Sequence, residues 1–221
     1  MVARYDGLAD WYDEEFYPSP LDGPAWETAV RLLGSGPGEL VDVGCGTGQC
    51  SSALAELGWE VTGVDLSKDM LRRAMNRGVR VAHADATKLP FDVAAFDAAL
   101  SMLTHTDFDD FGAAVREIAR VLRPGGLFVY VGVHPCFVGP HSKYELPTGL
   151  PELYPNWYRR GGRYANAPGI QTYGVRAKTG ATHLPLAPFL HTFLDSGLQI
   201  ELVEEAGEWD YPHLFALRLR R

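Results

Sequence analysis

Short apolar runs and helical segments alternate through residues 39–133 of this 221-residue chain. Each run has the length of one strand, and each segment between two runs has the length of one crossover helix. The strand candidates, in chain order, are ELVDVG, EVTGVD, VRVAHAD, AFDAALSM and LFVYVGV. Because a crossover helix returns the chain to the same edge of a sheet, consecutive strands run parallel. The alternation predicts a three-layer α/β sandwich that binds its ligand at the carboxyl ends of the strands.

Proline, serine and glycine mark the ends of the predicted helices. Pro24 is placed to begin a helix that runs through Leu33, and Ser67 is placed to cap the helix of SKDMLRRAMN. The segment DFDDFGAAVREIARVLRPGG predicts a long helix that ends at the Pro-Gly-Gly of 124–126. The tail predicts a helix near LAPFLHTFLDSG and then two strands, LQIELVEEA and HLFALRLRR.

Charge and composition exclude several kinds of partner. The formal net charge is −8, so nucleic acid would meet a repulsive field. No apolar run reaches the roughly 18 residues of a membrane span, and the first residues, MVARYDGLADWYDEE, lack the apolar part of a secretory signal. The three cysteines, Cys45, Cys50 and Cys136, are irregularly spaced, as is typical of a reducing compartment. We expect a cytoplasmic protein without nucleic-acid or membrane partners, and the sequence leaves the oligomeric state open.

A glycine-rich turn joins the first strand to the next helix. It reads D-x-G-x-G-x-G, with Asp42 followed by Gly44, Gly46 and Gly48. A strand that runs directly into a helix through such a turn presents backbone N–H groups and the positive end of the helix dipole to a ligand. A dinucleotide fingerprint requires glycine at position 49, where this chain has Gln49.

Acidic residues end the next two strands. Asp65 closes the second strand and can accept hydrogen bonds from both hydroxyls of a ribose, and Asp85 closes the third. The first acid suits either NAD or another adenosine cofactor. The two acids together with the glycine spacing favour the second possibility.

At these residues the chain resembles the class I S-adenosylmethionine-dependent methyltransferases, in particular the small-molecule enzymes of the methyltransferase-11 type. The segments VDVGCGTG, GVDLS, ADATKLPF, FDAALSMLTHTD and RVLRPGGLFVYVG occur in the family's order and spacing. The resemblance extends from Tyr5 to Val133 and, more weakly, over the last strands. It implies S-adenosyl-L-methionine as cofactor and a Rossmann-like, seven-stranded, mostly parallel sheet whose last strand is antiparallel.

The resemblance also implies roles for individual residues. Gly44 and Gly46 would border the methionine part, and Asp42 would reach its amino group through water. Asp65 would hold the ribose. The adenine would contact Asp85, Ala86 and Thr87, and the predicted cofactor-binding set is completed by Gly48, Leu66, Ser101, Tyr5 and Tyr12. The segment YDGLADWYDEEF is similar to the family's mobile lid, in which Tyr5, Trp11 and Tyr12 close over the cofactor.

We divide the chain into one domain with four parts. These are the N-terminal lid helices (1–36), a cofactor-binding core (37–134), a substrate-cover insertion (135–182) and a C-terminal helix with strands (183–221). A hydrophobic content of 46% is enough for one substantial core. The insertion is rich in proline, glycine and aromatic residues and shows no period, and a loop of this length in a compact domain is usually functional.

Methyl transfer needs a positioned acceptor and no protein nucleophile, although a hydroxyl acceptor gains from a general base. Histidine is the natural candidate. His105 follows the fourth strand, His134 follows the fifth, and His183 precedes the helix after the insertion. We expect His134 or His183, ahead of His105, to act on or position the acceptor.

The aromatic residues of the insertion predict a planar acceptor, a small organic molecule of the kind found in secondary metabolism. They are Phe137, Tyr144, Tyr154, Trp157, Tyr158, Tyr164 and Tyr173. The sequence does not distinguish O-methylation from N-methylation. A protein that binds the cofactor without transferring methyl and an NAD-dependent oxidoreductase are the alternatives, and Gln49 argues against the second.

The sequence predicts neither a nucleophilic cysteine nor a metal site. The Pro-Cys pair at Cys136 follows the fifth strand, whereas cytosine methyltransferases carry it after the fourth. Asp107, Asp109 and Asp110 crowd the start of a predicted helix, where acids favour the dipole, so we interpret them as capping residues and predict no metal site.

Overall fold

The fold is described from a computed structural model over residues 3–143 and 149–221, so Tyr144 of the predicted aromatic cover lies outside the described residues. A seven-stranded sheet with the strand order β3-β2-β1-β4-β5-β11-β10 forms its centre. The strands are β1 (Glu39–Val43), β2 (Glu60–Asp65), β3 (Arg80–His83), β4 (Phe96–Met102), β5 (Leu122–Val133), β10 (Gln199–Ala206) and β11 (Leu214–Arg220).

Strand direction follows the pattern of connections. The first five strands pair in parallel, and β11 is antiparallel to both β5 and β10. The predicted Rossmann-like sheet with an antiparallel last strand is therefore confirmed. Strand order reverses between β1 and β4, and parallel α/β sheets bind ligands at such a point.

Helices cover both faces of the sheet. They are α1 (Ala9–Trp11), α2 (Pro24–Leu33), α3 (Gln49–Glu56), α4 (Lys68–Asn76), α5 (Phe111–Val121), α6 (Gly174–Thr179) and α7 (Leu186–Leu194). Helix α2 begins at Pro24 and ends at Leu33 as predicted. Ser67 caps α4, since its hydroxyl accepts from the backbone N–H of Met70 at 3.3 Å.

The alternation of side chains along β5 separates the two cores. Phe128 and Tyr130 pack with α5 and α7 on one face, whereas Val129 and Val131 pack with α2 on the other. All four side chains are fully buried. Successive strand residues point to opposite faces, so residues 127–131 of this central strand, which are buried on both faces, are all apolar or aromatic, whereas residues 123–125 near its start are not buried.

The predicted long helix is shorter than its sequence pattern indicates. Helix α5 starts after Asp110 and ends at Val121, and β5 begins at the next residue. The Pro-Gly-Gly segment does not end the helix but bulges from the start of β5, where Gly125 and Gly126 exchange backbone hydrogen bonds with Arg221. This pairing with the last residue of the chain is a long-range contact that helix-stop signals do not reveal.

The N-terminal segment and the insertion are irregular but hydrogen-bonded. After α1 the chain makes a π-helical turn, Tyr12–Phe16, and a 3₁₀ turn, Pro20–Asp22. The insertion contains two short antiparallel ladders, formed by β6 (Ser142–Lys143) with β7 (Glu152–Leu153) and by β8 (Gly162–Tyr164) with β9 (Ala181–His183). In the described ranges, no helix has the length and apolarity to cross a membrane.

Candidate functional site

Backbone geometry shapes the turn between β1 and α3. The N–H groups of Gly44 and Cys45 both donate to the carbonyl of Val64, at 2.8 and 3.0 Å, which ties the turn to β2. Gly44 and Gly46 have φ values of 81° and 54°, a region that disfavours residues with a side chain. A Cβ on Gly44 would overlap the Thr104 methyl group, whereas a Cβ on Gly46 would enter open space.

Asp65 lies where the turn meets the end of β2. Its carboxylate accepts from the backbone N–H of Gly46 at 3.0 Å and from that of Ser67 at 2.8 Å. Burial raises the pKa of Asp65 to about 6, although these hydrogen bonds act in the opposite direction. The carboxylate is thus held in a fixed orientation at the edge of the sheet.

Asp42 ends β1 and is 3% exposed. Its carboxylate accepts a hydrogen bond from the Ser51 hydroxyl at 2.6 Å. Burial raises the pKa of Asp42 to about 6, and the nearby Asp65 carboxylate acts in the same direction. Two carboxyl groups with raised pKa values therefore lie side by side at one end of the sheet.

Asp85 follows β3 and is oriented by its own loop. Its carboxylate accepts from the backbone N–H of Thr87 at 2.9 Å and from the Thr87 hydroxyl at 2.7 Å. This local turn holds the carboxylate while the next residue, Ala86, is 7% exposed. The Thr87 hydroxyl thus serves to orient Asp85 within the loop.

A cavity opens at the carboxyl ends of β1, β2 and β4. Nine of the predicted cofactor-binding residues line it: Tyr5, Tyr12, Asp42, Gly44, Gly46, Asp65, Leu66, Asp85 and Ala86. Within the described chain, three predicted residues do not line it. Gly48 packs on Ala74 of α4, Thr87 faces Asp85, and Ser101 is fully buried with its hydroxyl on Thr104.

The remaining lining residues were not found from the sequence. They come from the N-terminal segment, the glycine turn, the start of α3, α4, the end of β4 and the loop after it, and include Arg4, Tyr17, Pro20, Thr47, Gln49, Cys50, Met70, Met102, Leu103, Thr104, Asp107 and Phe108. Since the loop after β4 has no repeating pattern, only the fold brings it opposite the N-terminal segment.

Asp13 joins the N-terminal segment to the glycine turn. Its carboxylate accepts from the Thr47 hydroxyl and the Gln49 amide, both at 2.7 Å, and forms ion pairs with Arg73 at 2.8 Å and Arg77 at 2.6 Å. The side chain of Gln49 thus helps to hold the N-terminal segment against the turn. A dinucleotide fingerprint has glycine at this position.

His105 is a core residue and does not line the cavity in the described structure. It is 4% exposed, with its Nδ1 2.5 Å from the Tyr130 hydroxyl and aromatic contacts to Phe111 and Phe189. Burial lowers the pKa of His105 to about 3, so the ring is neutral. Its position after β4 suggested a base, but the side chain turns into the layer between β5 and α7.

His134 and His183 also lie away from the cavity lining. His134 accepts from the Cys136 N–H at 3.1 Å through Nδ1, so its Nε2 donates to Glu205 at 2.8 Å. His183 donates from Nε2 to the Tyr158 carbonyl at 2.8 Å, and its ring is 4.4 Å from that of His141. Both rings hold the insertion against the sheet.

The aromatic cover is not where the sequence predicts it. Among the described residues of the insertion, none of the predicted aromatic side chains lines the cavity. Four rings from other parts of the chain do: Tyr5, Tyr12, Tyr17 and Phe108. Trp157 and Tyr164 of the insertion pack on each other, Phe137 packs on His134 and Tyr211, and Tyr173 is exposed.

Only one of the three clustered aspartates caps a helix. Asp110 caps α5, because its carboxylate accepts from the Ala113 N–H at 2.8 Å. Asp109 pairs with Arg4 at 2.7 Å, and Asp107 with Arg176 at 2.6 Å. The capping interpretation is therefore correct for Asp110 and wrong for the other two. The described ranges contain no group of three or more residues placed to hold a metal ion.

Comparison with known proteins identifies a methyltransferase domain. A methyltransferase domain model matches residues 41–130. Demethylmenaquinone methyltransferase of Corynebacterium kroppenstedtii is 41% identical over 132 residues, covering 56% of this chain and 58% of that protein. A crystal structure of an S-adenosylmethionine-dependent methyltransferase from Mesorhizobium loti superposes with a TM-score of 0.76 at 27% identity, covering 91% of this chain and 100% of that one. The matched part of the chain is a methyltransferase domain, and the chain as a whole is similar to the class I S-adenosylmethionine-dependent methyltransferases.

The family-model match includes the glycine turn and strands β2, β3 and β4. Malonyl-[acyl-carrier protein] O-methyltransferase of Pseudescherichia vulneris is 36% identical over 161 residues, covering 71% of this chain and 58% of that protein. The chain thus spans somewhat more than half the length of these curated relatives. The names of these relatives give different acceptors, so the similarity supports S-adenosylmethionine as the cofactor and leaves the acceptor open.

The cavity fits the cofactor of the methyltransferases. Gly46 lines it with a left-handed backbone and open space where a Cβ would project, so a ligand can lie against the main chain. Asp65 and Asp85 line the same side as hydrogen-bond acceptors. These carboxylates and the bare backbone suit a ligand that carries ribose hydroxyls and a cationic methionine group.

Proposed function

We propose that this protein transfers a methyl group from S-adenosylmethionine to the oxygen or nitrogen of a small aromatic acceptor. One observation carries the proposal: a single cavity is lined both by strand-end carboxylates with bare glycine backbone and by four aromatic rings. The first group of residues suits the cofactor, and the second suits a planar molecule.

The proposed cofactor contacts follow from the positions of the lining residues. Asp65 accepts hydrogen bonds from the ribose hydroxyls, Gly44 and Gly46 leave room beside the methionine part, and Asp42 faces its amino group. Asp85 and Ala86 border the adenine. Gly48, Thr87 and Ser101 act indirectly in this proposal, since they support the turn, Asp85 and Thr104.

The chain's residues bind, orient and exclude water. Bound S-adenosylmethionine supplies a methyl group on a sulfonium centre that needs no activation by the protein. Tyr5, Tyr12 and Tyr17 come from the N-terminal segment, and this segment is tied to the glycine turn by Asp13. A closed segment shields the reacting atoms from water and holds the acceptor in line, and positioning of this kind accounts for about 7–11 kcal/mol of a barrier in favourable cases.

The proposal is tested first by cofactor binding. We expect S-adenosylhomocysteine to raise the thermal midpoint and to bind in calorimetry, and NADH to do neither. Stabilisation by NADH alone would contradict the proposed function. Incubation with S-adenosylmethionine and a panel of phenols and aromatic amines, followed by mass spectrometry for the gain of one methylene, then separates an enzyme from a protein that only binds the cofactor.

A further inference from the structure

Asp107 brings a fixed carboxylate to the cavity beside the aromatic residues Phe108 and Tyr5. It follows β4 and lines the cavity beside Phe108. Its two carboxylate oxygens lie 2.6 and 3.2 Å from the two terminal nitrogens of Arg176, which forms a forked ion pair. The Tyr5 hydroxyl donates to the same carboxylate at 3.2 Å. Three separate parts of the chain therefore meet at one acidic group.

We propose that Asp107 is the acceptor-recognition residue, which takes a hydrogen bond from an O–H or N–H group on an aromatic acceptor, and that Arg176 is its positioning residue. This inference rests on the proposed function. It narrows the acceptor to an uncharged or cationic planar molecule with a donor group, because an anionic group would meet the carboxylate.

The rest of the cavity supports the assignment. The other acidic lining residues, Asp42, Asp65 and Asp85, lie at the ends of β1, β2 and β3, where we propose that the cofactor binds. Among the described lining residues there is no histidine. Asp107 is therefore the acidic lining residue that lies beyond these strand ends, in the loop after β4, and the cationic group that also lines the cavity, Arg4, is paired with Asp109.

The ion pair is not needed simply to attach the insertion. The backbone N–H of Thr182 donates to the Thr106 carbonyl at 2.7 Å, and Arg163 contacts the same carbonyl, so this loop is already held beside β9. Arg176 instead forms its ion pair with Asp107, which lines the cavity. Burial lowers the pKa of Arg176, but the Asp107 carboxylate together with Tyr5 and Tyr12 raises it overall, so the guanidinium stays charged. A forked partner fixes both oxygens of a carboxylate, which a lysine cannot do.

The test compares two probes on protein saturated with S-adenosylhomocysteine. One is 2-naphthol, which has an O–H donor, and the other is 2-methoxynaphthalene, which has the same rings and no donor. Hydrogen bonds to charged groups correspond to roughly tenfold to a hundredfold in affinity, so we expect the wild type to prefer 2-naphthol by about tenfold or more. Fluorescence titration measures both dissociation constants.

Variants of Asp107 and Arg176 test whether the preference for 2-naphthol depends on their ion pair. In the double variant Asp107→Leu/Arg176→Met, which leaves no unpaired charge, we expect the preference to fall to about one. Asp107→Asn, a smaller change, is expected to lower it in part, and Arg176→Lys, which keeps the charge without the fork, to retain some of it. Asp110→Asn is the matched control in the same loop: asparagine also caps helices, so the preference should stay at the wild-type value.

The outcomes are distinct. Equal affinity of the wild type for the two probes, absence of 2-naphthol binding up to its solubility limit, or an unchanged preference in both Asp107 variants would each overturn the inference. Binding of S-adenosylhomocysteine is measured in every variant. If the wild type does not bind S-adenosylhomocysteine, the proposed function is wrong. If it binds S-adenosylhomocysteine but has equal affinities for the two probes, only the proposed role of Asp107 is wrong.

Discussion

The two sides of the cavity are built in different ways. The part that we propose to bind the cofactor comes from three strand ends and the turn after β1, all within residues 42–86, and its shape depends on backbone conformation. The part that we propose to bind the acceptor combines the N-terminal segment with the loop after β4, and Arg176 supports it from the insertion. Local conformation thus forms the first part, and contacts between residues 36 to 102 positions apart form the second.

The largest effect should come from the glycine turn. We expect Gly44→Ala to lower the free energy of unfolding by about 2–5 kcal/mol, because left-handed strain adds to overlap with Thr104. Gly46→Ala is the matched control, since its Cβ meets open space. It should cost about 1 kcal/mol of stability but weaken S-adenosylhomocysteine binding at least tenfold. Urea unfolding and calorimetry separate the two, and equal stability losses would contradict the difference between these positions.

Asp65→Ala should weaken S-adenosylhomocysteine binding by roughly tenfold to a hundredfold, the effect of losing hydrogen bonds to a charged group. A pH series sharpens this. Because the pKa of Asp65 is about 6, the wild-type affinity should decrease as the pH falls below about 6, where the carboxylate becomes protonated. Calorimetry at several pH values measures it. An Asp65→Asn variant with the same pH profile as the wild type would assign the titration to another group.

Asp42→Asn should stabilise the cofactor-free protein while weakening cofactor binding. The folded pKa of about 6 exceeds the usual value of 3.8, so the native state binds the proton more tightly than the unfolded state does. Stability linked to this proton is present below about pH 4 and is lost as the pH rises through about 6. At pH 7.5 the neutral amide avoids that loss, and we expect a gain of about 1–3 kcal/mol in urea unfolding. A destabilised variant would contradict the burial argument.

The smallest effect should come from the histidines. Because neither His134 nor His183 lines the described cavity, we expect replacement of either by glutamine to change kcat by no more than about threefold and to leave the pH–rate profile in place. Loss of a general base typically costs 10²- to 10⁴-fold. Once an acceptor is found, steady-state kinetics over pH measures both variants, and a loss of that size would restore the histidine to the mechanism.

The cofactor side was largely predictable from the sequence, for a physical reason. Gly44 and Gly46 are required by local backbone angles, and Asp65 is the last residue of a strand whose end is fixed by its own apolar pattern. Such signals are contained within a few residues. The same spacing predicts that Gly48 binds the cofactor, yet in the structure Gly48 packs the start of α3 against Ala74 of α4.

The acceptor side was not predictable in the same way. Asp107 and Asp110 carry the same side chain three residues apart, but one pairs with Arg176 and the other caps α5. Only the distance to a residue nearly 70 positions away distinguishes them. The histidines at strand ends were placed correctly along the chain, but whether a side chain turns into the core or into the cavity depends on neighbours such as Tyr130 that lie on another strand.

A crystal structure with bound S-adenosylhomocysteine tests the division of the cavity most directly. We expect both ribose hydroxyls to lie within about 3 Å of the Asp65 carboxylate. We expect the sulfur to point toward Asp107 and the tyrosines of the N-terminal segment. A ribose placed away from Asp65, or a sulfur that faces His134 or His183 instead, would contradict it.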